Sequence, residues 1–95
     1  MRYARSPHFV TRRIDEETVL VPFGEAARRL RAIYMLDAVG AFIWERLAEP
    51  ADAGRIADLV AGEFEASRDV ALHDAEEFLA ELVAAGCAEE VGDAP

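Results

Sequence analysis

A chain of 95 residues with a net charge of −9 and 53% hydrophobic residues has room for one domain with a modest core. Its apolar runs fall far short of a membrane span, which excludes a membrane-crossing helix. The charge is uneven: residues 1–46 carry eight Arg against six Asp or Glu, and residues 47–95 carry two Arg against thirteen. An acidic second half is a poor face for phosphate, so it argues against nucleic acid and reads most simply as a solvated surface.

Lysine is absent and alanine abundant, a composition that points to a GC-rich bacterial genome. Met1 to Pro7 has no apolar stretch behind its charges, so no secretory signal is expected. A lone cysteine, Cys87, offers neither an internal disulfide nor metal-ligand spacing. The expectation is a cytoplasmic globular protein of one domain, residues 1–95, with its core over 8–91 and flexible tails at 1–7 and 92–95.

In chain order, His8 to Ile14 is β-prone, and Asp15-Glu16-Glu17 makes a polar turn. Thr18 to Phe23 is a second strand with the highest β-propensity in the chain, in which Pro22 cannot donate to a ladder. Gly24 to Ala27 reads as a loop. A third strand is expected over 30–36, with Leu30, Ala32, Tyr34 and Leu36 on one face and Arg31, Ile33 and Met35 on the other. The Ala/Arg-rich run 25–32 also suits a helical turn.

Asp37 can cap a helix over 38–48, in which Val39, Phe42, Ile43 and Leu47 share a face before Glu49-Pro50 ends it. Asp52 can cap a second helix with the stripe Ile56, Leu59, Val60 and Phe64. Residues 65–68 connect to a third helix from about Asp69 to Gly86, a favoured residue just past a helix end. A short strand over 87–91 can follow. In the third helix Ala71, Leu72, Ala75, Phe78, Leu79, Leu82 and Val83 cover an arc of roughly 140°, against the roughly 100° that a core-facing stripe needs. The surplus suits either a groove or deeper burial. Three strands followed by three helices give an α+β class: a winged helix-turn-helix-like domain with a three-stranded antiparallel sheet.

No catalytic, metal or cofactor motif emerges, so neither an enzyme nor a cofactor is expected. His8, His73 and Cys87 show no ligand or nucleophile–base spacing. His73 reads as a solvated side chain and Cys87 as a small buried hydrophobe. A DNA-reading winged helix would turn Arg, Lys, Asn or Gln on its last helix toward the bases; here that helix has no Lys, Asn or Gln and is acidic outside, so phosphate repulsion would oppose docking. Ser67 precedes a helix, as the modified serine of a carrier protein does, but its neighbours Ala66 and Arg68 do not fit that setting.

The run Leu36-Asp37-Ala38-Val39-Gly40-Ala41-Phe42-Ile43-Trp44-Glu45-Arg46-Leu47 resembles the Leu-Asn-x-Thr/Val-Gly-x-x-Ile-Trp-x-x-Leu segment of the PqqD family. Phe78 to Cys87 is similar to that family's closing Phe-Leu-x-x-Leu-x-x-x-Gly-Leu, and Val10-Thr11-Arg12 and Val19-Leu20-Val21 match its early strands. Departures are Asp37 where Asn is usual, Cys87 where Leu or Ile is usual, and the Arg-rich stretch before the third strand. The resemblance covers about residues 8–91.

It implies a winged-helix recognition element for ribosomally made precursor peptides. Such proteins hold the leader segment and present it to a modifying enzyme, often a radical S-adenosylmethionine enzyme. The leader adds a strand to the third strand and rests against the third helix. A bare edge strand suits this, because strand addition takes affinity from unpaired backbone groups and specificity from alternate side-chain pockets. The residues expected to pair with the peptide are Arg31, Ala32, Ile33, Tyr34 and Met35. Phe78, Leu79, Leu82 and Val83 would line an apolar wall with Ala75 leaving room, although Leu79 and Leu82 equally suit the core. Arg28, Arg29 and Arg31 would favour a leader with Asp or Glu. The alternative is a scaffold or regulatory protein that binds another protein's segment, or pairs or swaps into a homodimer, through the same edge.

Overall fold

The structure, a computed structural model, describes residues 1–29 and 33–92, without the side chains of Ala26 and Arg29. It is α+β. Strands β2 (Phe9–Ile14), β3 (Glu17–Pro22) and β4 (Tyr34–Leu36) form an antiparallel meander in the order β2-β3-β4. The short helix α1 (Glu25–Arg29) lies between β3 and β4 in sequence. Then come α2 (Ala38–Arg46), α3 (Ala53–Phe64) and α4 (Arg68–Ala84), the three long helices of the winged-helix-like arrangement.

A second antiparallel sheet, β5-β1-β6, was not expected. Its centre is β1 (Arg2–Arg5), flanked by β5 (Ala51–Asp52) and β6 (Ala88–Val91). Residues 2–5 are therefore a paired strand where the sequence suggested a tail. Arg-Tyr-Ala-Arg has little β signal of its own; its partners come from the far end of the chain, with Arg2 opposite Val91 and Arg5 opposite Ala88. Arg2 ties the ends further by donating to the Gly92 carbonyl from Nε (3.1 Å) and Nη2 (2.9 Å). The N–H of the buried Ser6 donates to the Cys87 carbonyl at 2.9 Å.

The β2–β3 hairpin turns on Asp15 and Glu16 between the paired Ile14 and Glu17. Both turn residues have positive φ, 54° and 149°, which side chains disfavour. Of the two readings open for residues 25–32, the structure takes a helix over 25–29. The third strand, expected from 30, is described over Tyr34–Leu36; residues 30–32 lie outside the described residues.

Helix starts follow the sequence closely. Asp37 Oδ1 accepts from the Gly40 N–H at 2.7 Å, and Asp52 Oδ1 from the Arg55 N–H at 2.7 Å. Ser67, read as connector, caps α4 by accepting from the Val70 N–H at 3.3 Å, so α4 begins at Arg68. Its end is a Schellman motif: Gly86 has φ 82°, and the Gly86 and Cys87 N–H groups donate to the carbonyls of Val83 (3.1 Å) and Leu82 (2.8 Å).

The core gathers Leu20 from the sheet, Ile43 and Trp44 from α2 and Leu47 at its C-cap, Ile56 and Val60 from α3, and Ala71, Ala75, Leu79 and Leu82 from α4. Trp44 lies outside the stripe read from sequence, yet it is buried. Its indole reaches back to β2, and the Arg5 guanidinium lies 5.0 Å from its ring centroid while donating to its carbonyl at 2.8 Å. Among the described residues no helix is long and apolar enough to cross a membrane.

Candidate peptide-binding edge

Among the described residues β4 pairs with β3 alone, so one of its edges is open. Other edges are open too, but they carry charge. The outer strand β2 bears the exposed Arg12 and Arg13, and β6 bears the exposed Glu89 and Glu90. Side-chain charge of this kind discourages an added strand. β4 is Tyr-Met-Leu and has none.

The register decides which way β4 side chains point. Tyr34 lies opposite the buried Leu20 and Leu36 opposite Thr18, so both face the helices, and both are half-buried against the core. Met35 lies opposite Val19 on the other face and is 63% exposed. Ile33, just ahead of the strand, is 59% exposed. A strand added here would send alternate side chains inward beside Tyr34 and Leu36, and outward beside Met35.

The expected wall on α4 divides. Ala75, Leu79 and Leu82 lie at the centre of the helix's apolar stripe and are fully buried in the core. Phe78 and Val83 are half-buried and sit at opposite margins of the stripe, about 140° apart at 100° per residue. They flank the helix on different sides. The Phe78 margin is the one beside β4's exit: its ring rests on Gly40, in the first turn of α2, directly after the strand. A Cβ built on Gly40 would stand 3.2 Å from Phe78 Cζ and 3.3 Å from Cε1.

Of the cationic residues, Arg28 is exposed and only loosely paired with Glu25 at 3.9 Å. The Arg29 side chain, Arg31 and Ala32 lie outside the described residues. Below the hairpin tip, Leu36 and Asp37 also line a cleft of about 420 Å³ whose other walls include Phe42 and Phe64. Those two rings meet edge-on at 5.4 Å, and the Arg46 guanidinium covers Phe42 at 4.3 Å. The sequence reading overlooked Gly40 and this cleft. Gly40 had a signal, a glycine early in a capped helix where alanine is the better helix former.

The chemistry here is that of binding. The edge offers unpaired backbone groups and apolar side chains on both faces of the strand, and the Phe78 ring rests on the helix start that follows it. Among the described residues no cluster of three His, Cys, Asp or Glu side chains could hold a metal ion. Cys87 is buried, and desolvation pushes its thiol up to about 11, so it is a poor nucleophile.

Two solved structures are similar to this chain. One, described as "TbiB1 in Complex with the TbiA(beta) Leader Peptide", has a TM-score of 0.75 and 29% identity, covering 95% of this chain and 99% of that one. The other, "Lasso peptide synthetase B1 complexed with the leader peptide", has a TM-score of 0.76 and 21% identity, covering 95% of this chain and 100% of that one; at that identity it speaks for the fold alone. Among curated proteins none matches this sequence significantly. The family profile described as "Coenzyme PQQ synthesis protein D (PqqD)" matches residues 10–88, and with most of its length matched in this way the chain belongs to the PqqD family.

Proposed function

We propose that this protein recognises the leader segment of a ribosomally made precursor peptide and presents it to a modifying enzyme, such as a radical S-adenosylmethionine enzyme. The leader adds as a strand to the open edge of β4, with alternate side chains pointing inward toward Phe78. The chain binds and presents, and leaves the chemistry to its partner. The observation that carries this reading is the uncharged open edge of β4. It is supported by the 29%-identical TbiB1, which was solved with a leader peptide bound.

The test is a titration of ¹⁵N-labelled protein with the TbiA(beta) leader and with peptides drawn from a random 12-residue library. Amide shifts confined to residues 33–40 and the middle of α4 are expected. Saturable binding whose shifts fall on β2, β6 or the outer face of α4 would exclude the β4 edge.

A further inference from the structure

We infer that the cleft between the β2–β3 hairpin tip, α2 and the last turn of α3 is a second recognition site, which receives an arginine side chain of a partner protein. It lies apart from the open edge of β4, and its occupant docks while the leader is held there.

The cleft and the Phe78 margin are on different sides of α2. Phe78 rests on Gly40 and does not line the cleft. Ala38, Ala41, Phe42 and Glu45 do line it, and together they face roughly 150° away from Gly40 at about 100° per residue. The sheet wall of the cleft is Arg13, Thr18 and Leu36, which the register places in one row across β2, β3 and β4. A strand added to the open edge of β4 lies one strand further out.

The cleft, about 420 Å³ in volume, has an aromatic wall and an acidic rim. Phe64 meets Phe42 edge-on at 5.4 Å and is itself 37% exposed, a large ring that the core leaves uncovered. The carboxylates of Glu16, Asp37, Glu45 and Glu63 line the space against the single guanidinium of Arg13. Asp37 is occupied by its cap to the Gly40 N–H. Among the described residues Glu16, Glu45 and Glu63 form no ion pair.

Rings bordered by free carboxylates suit a cation, because a ring face and a carboxylate both attract positive charge. Arginine fits better than lysine: its flat guanidinium stacks on a ring while its N–H fork reaches carboxylates. The molecule already holds one such pairing, the Arg46 guanidinium 4.3 Å from the Phe42 centroid. Among the described residues no cation covers Phe64. Long-range charge acts in the same direction. Glu63 and Phe64 belong to the half of the chain with two Arg against thirteen Asp or Glu, which draws in a basic surface.

The test titrates the ¹⁵N-labelled whole chain with acetylated, amidated pentapeptides of alanine around a central arginine, lysine, citrulline or norleucine. The arginine peptide should bind about fivefold more tightly than the uncharged citrulline peptide, with amide shifts over 37–46 and 62–65. Glu45→Gln combined with Glu63→Gln should cut that preference to about twofold or less. Phe64→Leu should weaken the arginine peptide about threefold and leave the norleucine peptide unchanged, since leucine keeps apolar surface but has no ring face. Equal binding of arginine and citrulline, or shifts outside the cleft, overturns the site. The TbiA(beta) leader, added at saturation, should leave the arginine peptide bound; displacement would assign the cleft to the leader and overturn the partner protein as its occupant. A leader that fails to bind at all counts against the proposed function and not against the cleft.

Discussion

The indole N–H of Trp44 donates to the Thr11 hydroxyl at 2.9 Å, joining the last turn of α2 to β2 across 33 residues of sequence. Trp44 is 2% exposed, so its ring is packed like a core residue while its polar atom reaches the rim of the sheet. Thr11→Val keeps the shape and removes the acceptor. The variant should lose about 1 kcal/mol, the net worth of one such hydrogen bond near solvent. Urea unfolding followed by the fluorescence of the single tryptophan checks this; an unchanged midpoint would mean that water replaces the hydroxyl at no cost.

Glu16 holds φ at 149° in the β2–β3 turn, a conformation that favours glycine. Glu16→Gly should therefore stabilise the protein by about 1 kcal/mol despite removing a side chain, since relief of strain outweighs the added freedom of the unfolded chain. Thermal unfolding reads the sign directly. A lower melting temperature would show that the turn is unstrained.

Burial raises the Cys87 thiol from 9.0 to about 11. In the unfolded chain the thiol ionises near 9, while in the folded chain it stays protonated until about 11. The unfolded state thus binds fewer protons in that window, and stability falls as pH rises from 9 toward 11. Below 9 this contribution is constant. Cys87→Ala should remove the Cys87 component of the alkaline loss, which denaturant midpoints between pH 8 and 11 would reveal as a shallower decline. Parallel declines in the two proteins would rule the thiol out as its cause.

Phe78 and Val83 sit on opposite margins of α4, so their truncations should separate. Phe78→Ala should weaken binding of a β4-directed peptide by about tenfold, the worth of one lost aromatic contact surface. Val83→Ala should leave affinity within about twofold and act on stability instead. Calorimetric titration of both variants decides the matter. Equal losses would place both side chains in the peptide's path and contradict the geometry of the helix.

How much of this was legible in sequence varies with the range of the interaction. Helix starts at Asp37 and Asp52 could be read because a cap and the amide it satisfies lie three residues apart. The β2–β3 hairpin was also legible, since two β-prone runs flank one polar turn. Ser67 as a cap and residues 2–5 as a strand were not. Ser67 sat in a run without apolar periodicity, and β1 gets its strand character from residues 88–91.

By itself the sequence determined the class of the fold, the family, and the uncharged stretch Tyr34-Met35-Leu36, because these rest on local capping, periodicity and a contiguous motif. Tertiary structure alone decided which edge stays open, which α4 residues are spent on the core, and that Phe78 rests on Gly40. Ala75, Leu79 and Leu82 are set apart from Phe78 by rotations of roughly 40° to 100° around one helix, and differ from it in burial. A periodic pattern shows that such a stripe exists; what packs against its centre and its two margins is set by elements distant in the chain.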